Sequence, residues 1–213
     1  MNIKTIILFV TMFSSLHFAQ KIYEIPSGSE GNIIQLDVVN NAQISEDQIM
    51  IKLEERPDWV DFKVQEIALN NILETANFIF DIKKDAVINE ESSLQFSVIK
   101  NGQFLGEKRI TIKVIPPKDF ALYQNYPNPF NPTTTIEYSV PANNKNNTVD
   151  IKIVIFDILG REVVTIVNQK QKPGNYKVEF NAASLAGGLS SGTYFYRLIS
   201  GDFSKTMKLV LLK

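Results

Sequence analysis

The sequence contains no cysteine and a single histidine, His17. Without cysteine there is no disulfide framework, no thiolate nucleophile and no sulfur-ligated metal. The chain after position 17 has no imidazole either. Ser-His-Asp and Cys-His catalysis are therefore excluded there, as is a zinc site built on His or Cys. An excess of one charge is also missing. The 22 Lys and Arg stand against 23 Asp and Glu in 213 residues, a formal net charge of −1. No global field then argues for nucleic acid or an anionic membrane as partner. Tryptophan occurs once, at Trp59. No apolar run reaches the roughly 20 residues that a membrane-spanning helix requires. Phosphate loops, dinucleotide fingerprints and calcium loops are absent, and no cofactor is expected.

The first feature that is present lies at the N-terminus. Met1 to Lys4 carries one positive charge, Thr5 to Phe13 is an apolar run, and Ser14 to Ala19 is more polar and ends on a small residue. This is the three-part pattern of a secretory signal peptide. It predicts removal of residues 1–20, with cleavage after Ala19 or Gln20. The competing reading of the same run is a membrane anchor or a buried strand.

Beyond Gln20 the dominant period is two. Ile34, Leu36 and Val38 alternate with polar residues. So do Ile49, Ile51 and Leu53, then Val60, Phe62 and Val64, Phe78, Phe80 and Ile82, Leu94, Phe96 and Val98, and Ile110, Ile112 and Val114. A strand turns successive side chains to opposite faces, so each run has one apolar and one polar face. Such strands over residues 21–115 predict an antiparallel, Ig-like β-sandwich. Asn101-Gly102 and Leu105-Gly106 offer turn chemistry, and Ile67 to Thr75 has room for a short helical turn. Trp59 is out of phase with Val60 and Phe62. Either it packs under the Pro57 turn, or it faces outward and contacts a ligand such as a sugar ring.

Pro116-Pro117 interrupts the pattern and predicts a linker over 116–121. A second strand-rich unit follows at 122–213. Its runs are Ile136, Tyr138, Val140; Val149 to Ile155; Tyr176, Val178, Phe180; Tyr194, Tyr196, Leu198; and Met207, Leu209, Leu211. The fold class expected is all-β: two small antiparallel sandwiches after a signal peptide. The halves differ in charge. Residues 20–119 hold 11 Lys/Arg against 17 Asp/Glu, net −6, and residues 120–213 hold 10 against 6, net +4.

Leu122 to Thr134 contains Gln124, Asn125, Tyr126, Pro127, Asn128, Pro129, Phe130, Asn131 and Pro132. Its three prolines fix φ and bias the residues before them toward extended backbone, and its asparagines can bond local backbone. Tyr126 and Phe130 are expected as packing anchors. Further on come Asp157 and Gly160 in a tight turn, Gly192 and Tyr194 opening a strand, and Lys205, Lys208 and Lys213 around the last one. In this order and spacing the segment resembles the C-terminal sorting domain of type IX secretion cargo, a family of β-sandwich modules on exported proteins of Bacteroidetes and their relatives. The resemblance implies a protein that crosses the periplasm and is read by the type IX translocon. It also implies trimming by a sortase-like peptidase, then release or attachment to surface lipopolysaccharide. The product would be secreted or held at the outer-membrane surface. No nucleic acid is implied as a partner.

For residues 21–115 the leading expectation is a non-enzymatic binding, adhesion or structural module with an unidentified ligand or protein partner. Two alternatives stand beside it: a small hydrolase using carboxylates, and a carbohydrate-binding module using Trp59. The adjacent pairs Glu54-Glu55 and Glu90-Glu91 point to opposite faces of a strand, unlike the converging carboxyls of a glycosidase.

Overall fold

The computed structural model describes residues 5–11, 22–39, 48–69, 75–142, 148–185 and 187–213. It divides into two compact units, Met1–Ile115 and Pro116–Lys213. Both are built of strands, and no α-helix occurs among the described residues.

In the first unit the strands are β1 (Thr5–Thr11), β2 (Ile22–Pro26), β3 (Asn32–Val39), β4 (Ile49–Glu55), β5 (Val60–Phe62), β6 (Glu66–Leu69), β7 (Thr75–Ile82), β8 (Glu91–Lys100) and β9 (Gln103–Ile115). They form two sheets, ordered β1-β3-β7-β5 and β2-β9-β8-β4-β6. Most pairings are antiparallel, as expected. The exceptions are at two sheet edges, where β1 runs parallel to β3 and β2 parallel to β9. Within the apolar run at the N-terminus, Thr5–Thr11 is thus a strand, while residues 12–21, Ala19 and Gln20 among them, lie outside the described residues. The alternating residues meet in one core, which includes Ile34, Leu36, Ile51, Phe78, Phe80, Phe96, Ile110 and Val114.

Three local expectations are corrected. Glu66–Leu69 is strand β6, so the helical turn for which Ile67 to Thr75 has room does not begin at Ile67, and the rest of that stretch, residues 70–74, lies outside the described residues; Leu69 supplies the core contact that a strand of this phase allows. Val64 is 44% exposed because β5 stops at Phe62. Leu105-Gly106 is no turn. Gly106 pairs with Val98 within the β8–β9 ladder, next to a register shift. The turn itself is Asn101-Gly102, both at positive φ (49° and 79°), as a two-residue hairpin loop demands.

The second unit contains β10 (Ala121–Leu122), β11 (Thr133–Val140), β12 (Val149–Phe156), β13 (Glu162–Gln171), β14 (Gly174–Asn181), β15 (Gly192–Ser200) and β16 (Phe203–Leu211), with one short 3₁₀ turn at Ala182–Ser184. Its sheets are β10-β11-β14 and β13-β12-β15-β16. Ile136, Tyr138, Ile153, Ile155, Phe180, Tyr196, Leu198, Leu209 and Leu211 build its core. The stretch expected as linker is partly taken up by this unit. Phe120 stacks on Phe203 at 4.8 Å and Ala121–Leu122 already pairs with β11; Pro117 is buried, and the exposed residues are Lys118 and Asp119.

Candidate functional site

The lead-in segment from Tyr123 to Pro132 crosses the end of one sheet to the edge of the other. It is held first by a buried tyrosine. Tyr196, on the inward face of β15, donates its hydroxyl to the Tyr123 carbonyl at 2.7 Å and accepts the Asn125 amide at 2.9 Å. Burial pushes this hydroxyl up to about 12, against the opposing effect of the Asn125 amide. Asn125 is buried too. Its side-chain amide donates to the Pro127 carbonyl at 3.0 Å and to Thr134 Oγ1 at 2.9 Å, and its Oδ1 accepts from Gln124 at 2.6 Å. Thr134 Oγ1 in turn donates to the Pro127 carbonyl at 2.8 Å. A buried amide with its groups engaged in this way fixes a single backbone path. The Tyr126–Pro127 and Asn128–Pro129 peptide bonds along that path are cis.

The segment then closes an open sheet edge. β16 is the last strand of its sheet, so one row of its amides and carbonyls has no strand partner. Phe130 N–H donates to the Val210 carbonyl and Leu212 N–H to the Phe130 carbonyl, each at 2.9 Å. Asn128 Oδ1 accepts the Val210 amide at 2.9 Å. The Lys208 carbonyl accepts from Gln124 Nε2 at 2.8 Å and from Asn128 Nδ2 at 3.5 Å. Side-chain amides and one short stretch of backbone thus do the work of a neighbouring strand. The Phe130 ring anchors the arrangement, 2% exposed and 6.0 Å from the Phe180 ring. The second expected anchor is not one: Tyr126 exchanges both backbone hydrogen bonds with Thr135 and leaves its side chain 82% exposed. Pro127, Pro129, Asn131 and Pro132 also face solvent, with the Pro132 carbonyl accepting from Ala182 N–H at 2.9 Å.

The remaining residues of the motif spread along the same sheet. Asp157 caps the β12–β13 turn. Its carboxylate accepts from the amides of Leu159 (2.9 Å) and Arg161 (3.0 Å) and from Arg161 Nε (2.6 Å). Partial burial pushes this carboxyl up, but the Arg161 and Leu159 donors outweigh it and hold it below the usual carboxylate range. Gly160 takes φ +77°, and its amide closes the turn on the Asp157 carbonyl at 3.0 Å. Gly192 and Tyr194 pair with Leu211 and Leu209 of β16, and the Tyr194 hydroxyl donates to the Ser190 carbonyl at 2.9 Å. Lys205, Lys208 and Lys213 all present exposed side chains. The structure therefore gathers Gln124, Asn125, Asn128 and Phe130 around the β16 edge, with Asp157 and Gly160 at the far side of β15. Sequence reasoning missed Tyr196 and Thr134. The available signal was a tyrosine in core phase, whose buried hydroxyl needs a partner.

Trp59 is corrected as a ligand contact. It is 8% exposed, sits in the core of the first unit, and donates its indole N–H to Glu90 Oε1 at 2.7 Å. No ring face is open for stacking. Glu54 accepts from Ser97 Oγ at 2.6 Å and Lys52 Nζ at 3.3 Å, and the Ser97 hydrogen bond leads in holding its carboxyl low. Among the described residues no group of three or more His, Cys, Asp or Glu is placed to hold a metal ion.

Residues 124–212 match the family model described as the Secretion system C-terminal sorting domain. No curated protein matches the chain. Among solved structures, dimeric latent PorU from Porphyromonas gingivalis is 12% identical, with 92% of this chain and 19% of that one covered and a TM-score of 0.36. This chain thus spans about a fifth of PorU's length. A protein of unknown function from P. gingivalis W83 is 11% identical over 91% of this chain and 96% of its own, TM-score 0.34. The E. coli chaperone DraB is 13% identical over 93% and 98%, TM-score 0.33. The lead-in segment from Gln124 onward, the capped turn and the closing strand all lie within the matched residues, and residues 124–212 of this chain are a type IX secretion C-terminal sorting domain.

Proposed function

We propose that this chain is a type IX secretion cargo whose first unit works outside the cell as a non-enzymatic binding or structural module. The observation that carries the reading is the family match over 124–212. A sorting domain implies export, to the cell surface or beyond. In the full proposal residues 1–20 are a signal peptide, cleaved after Ala19 or Gln20 as the chain reaches the periplasm. The translocon then reads residues 122–213, and a sortase-like peptidase removes them before release or attachment to lipopolysaccharide.

The non-enzymatic reading of residues 21–115 draws support from how its acidic residues are used. Glu90 is engaged by the Trp59 indole and Glu54 by Ser97 and Lys52. Such carboxylates are bound into the fold. Burial of Trp59 also weighs against a carbohydrate-binding module built on that ring. Fractionation of the native host, with mass spectrometry of the mature termini, tests the proposal. The expected product begins at Gln20 or Lys21, lies at the surface or in the medium, and lacks the sorting domain. A product found only in the cytoplasm with Met1 retained would overturn it.

A further inference from the structure

Ile158 and Leu159 stand side by side at the tip of the β12–β13 turn, 71% and 73% exposed. Single exposed apolar residues are ordinary. Here, however, the fold holds two of them in one fixed pose. The Asp157 carboxylate grips Leu159 N–H, Arg161 N–H and Arg161 Nε, while Gly160 supplies the positive φ that closes the turn. A latched turn limits the conformational entropy lost when its tip is bound.

The surroundings of the tip carry a second signal. Phe156 and Phe195 are direct cross-strand partners on the outer face of the sheet, and Lys208 lies opposite Phe195 on β16. The Arg197 guanidinium sits 5.0 Å from the Phe156 ring centroid. Arg161 at the base of the tip has a side chain that is 74% exposed. An apolar tip beside an aromatic pair, flanked by cations, complements an apolar pocket with an acidic rim. The chain beyond residue 119 is itself net positive, 10 Lys/Arg against 6 Asp/Glu.

We infer that the Asp157–Arg161 turn is the docking knob of the sorting domain, and that Ile158 and Leu159 insert into an apolar, acid-rimmed pocket on a protein of the secretion machinery. The inference rests on the proposed role of the C-terminal unit as an export address. The lead-in segment is then mainly architectural, and the turn carries the contact.

The test compares the full chain as wild type and as I158S/L159S with a deletion of residues 120–213, each expressed in a host with a working type IX system. Both serines replace exposed groups, so the double variant should keep the wild-type melting transition. Its export should fall at least tenfold, with signal-cleaved protein collecting in the periplasm. I158V/L159M should export normally, and Lys208→Glu should reduce export more than Lys208→Gln. Should the double variant melt early, Leu159→Lys alone gives the same reading. Wild-type export of a folded I158S/L159S, while the deletion is blocked, would overturn the knob and leave the sorting role standing. Normal export of the deletion itself would overturn both.

Discussion

Asn128 Oδ1 accepts the Val210 amide at 2.9 Å, so a side chain 82 positions away in sequence stands where a neighbouring strand would be. The asparagine-proline segment is in this sense a strand cap. Exposed edges invite pairing with other chains, and proteins that must stay separate during transport need them covered.

Replacing Asn128 with Ala should uncover that edge. The Val210 amide loses its acceptor and the Lys208 carbonyl one of its donors. The expected cost is modest, about 1 kcal/mol for an edge-exposed bond. The sharper effect should be faster hydrogen exchange at Val210 and a concentration-dependent rise in association, read by light scattering. Phe130→Ala is a contrasting case. It removes a buried ring and should cost about 3–5 kcal/mol.

Tyr196→Phe keeps the ring and deletes one oxygen. The Asn125 amide and the Tyr123 carbonyl both lose their partner in a buried site. The second unit should lose about 1–3 kcal/mol, seen as a lower urea midpoint. The first unit should melt unchanged.

The same hydroxyl makes the second unit alkali-sensitive. Its folded value is raised to about 12, above the ordinary tyrosine value of about 10. Stability from this group is full below the unfolded value. Above it the unfolded chain loses its proton first, so stability falls progressively between about pH 10 and pH 12. Tyr138 and Tyr176 are raised in the same direction by burial. Denaturation midpoints measured across this window should fall for wild type, and less steeply for Tyr196→Phe.

The proposed removal of residues 1–20 should have a structural signature. Cleavage after Ala19 or Gln20 removes β1, which pairs with β3 from Thr5↔Ile33 to Thr11↔Val39. β3 then becomes the edge of its sheet. Amides in Asn32–Val39 should exchange faster in protein beginning at Lys21 than in the full-length chain, while those of β8, central in the other sheet, should not change.

The strands of both units were legible wherever period-two alternation held, as in Phe78-Phe80-Ile82 or Leu94-Phe96-Val98. β13 was not, because the bulges opposite Ile153/Val154 and Ile155/Phe156 shift its phase and leave apolar doublets such as Val163-Val164 and Ile166-Val167. β6 was too short, with one buried residue, Leu69, to show a period. The parallel partners of β3 and β9 follow from three-dimensional arrangement, which no local pattern encodes. At the candidate site, residue identities were readable from the motif, but their division of labour was not. Tyr126 and Phe130 look alike in sequence; one is exposed and the other is in the core, because only Phe130 meets the β16 edge beside Phe180.

The most direct test of the account removes Lys205–Lys213 from the full chain and follows export in a host with a working type IX system. The deletion takes away seven of the nine residues of β16, including fully buried Leu209 and Leu211. Each costs about 2–5 kcal/mol when lost, against roughly 5–15 kcal/mol available to a domain of this kind. It also strips the lead-in segment of the edge it caps. The account predicts a signal-cleaved protein confined to the periplasm, with the first unit still folded. Wild-type amounts of the truncated protein at the surface or in the medium would contradict it.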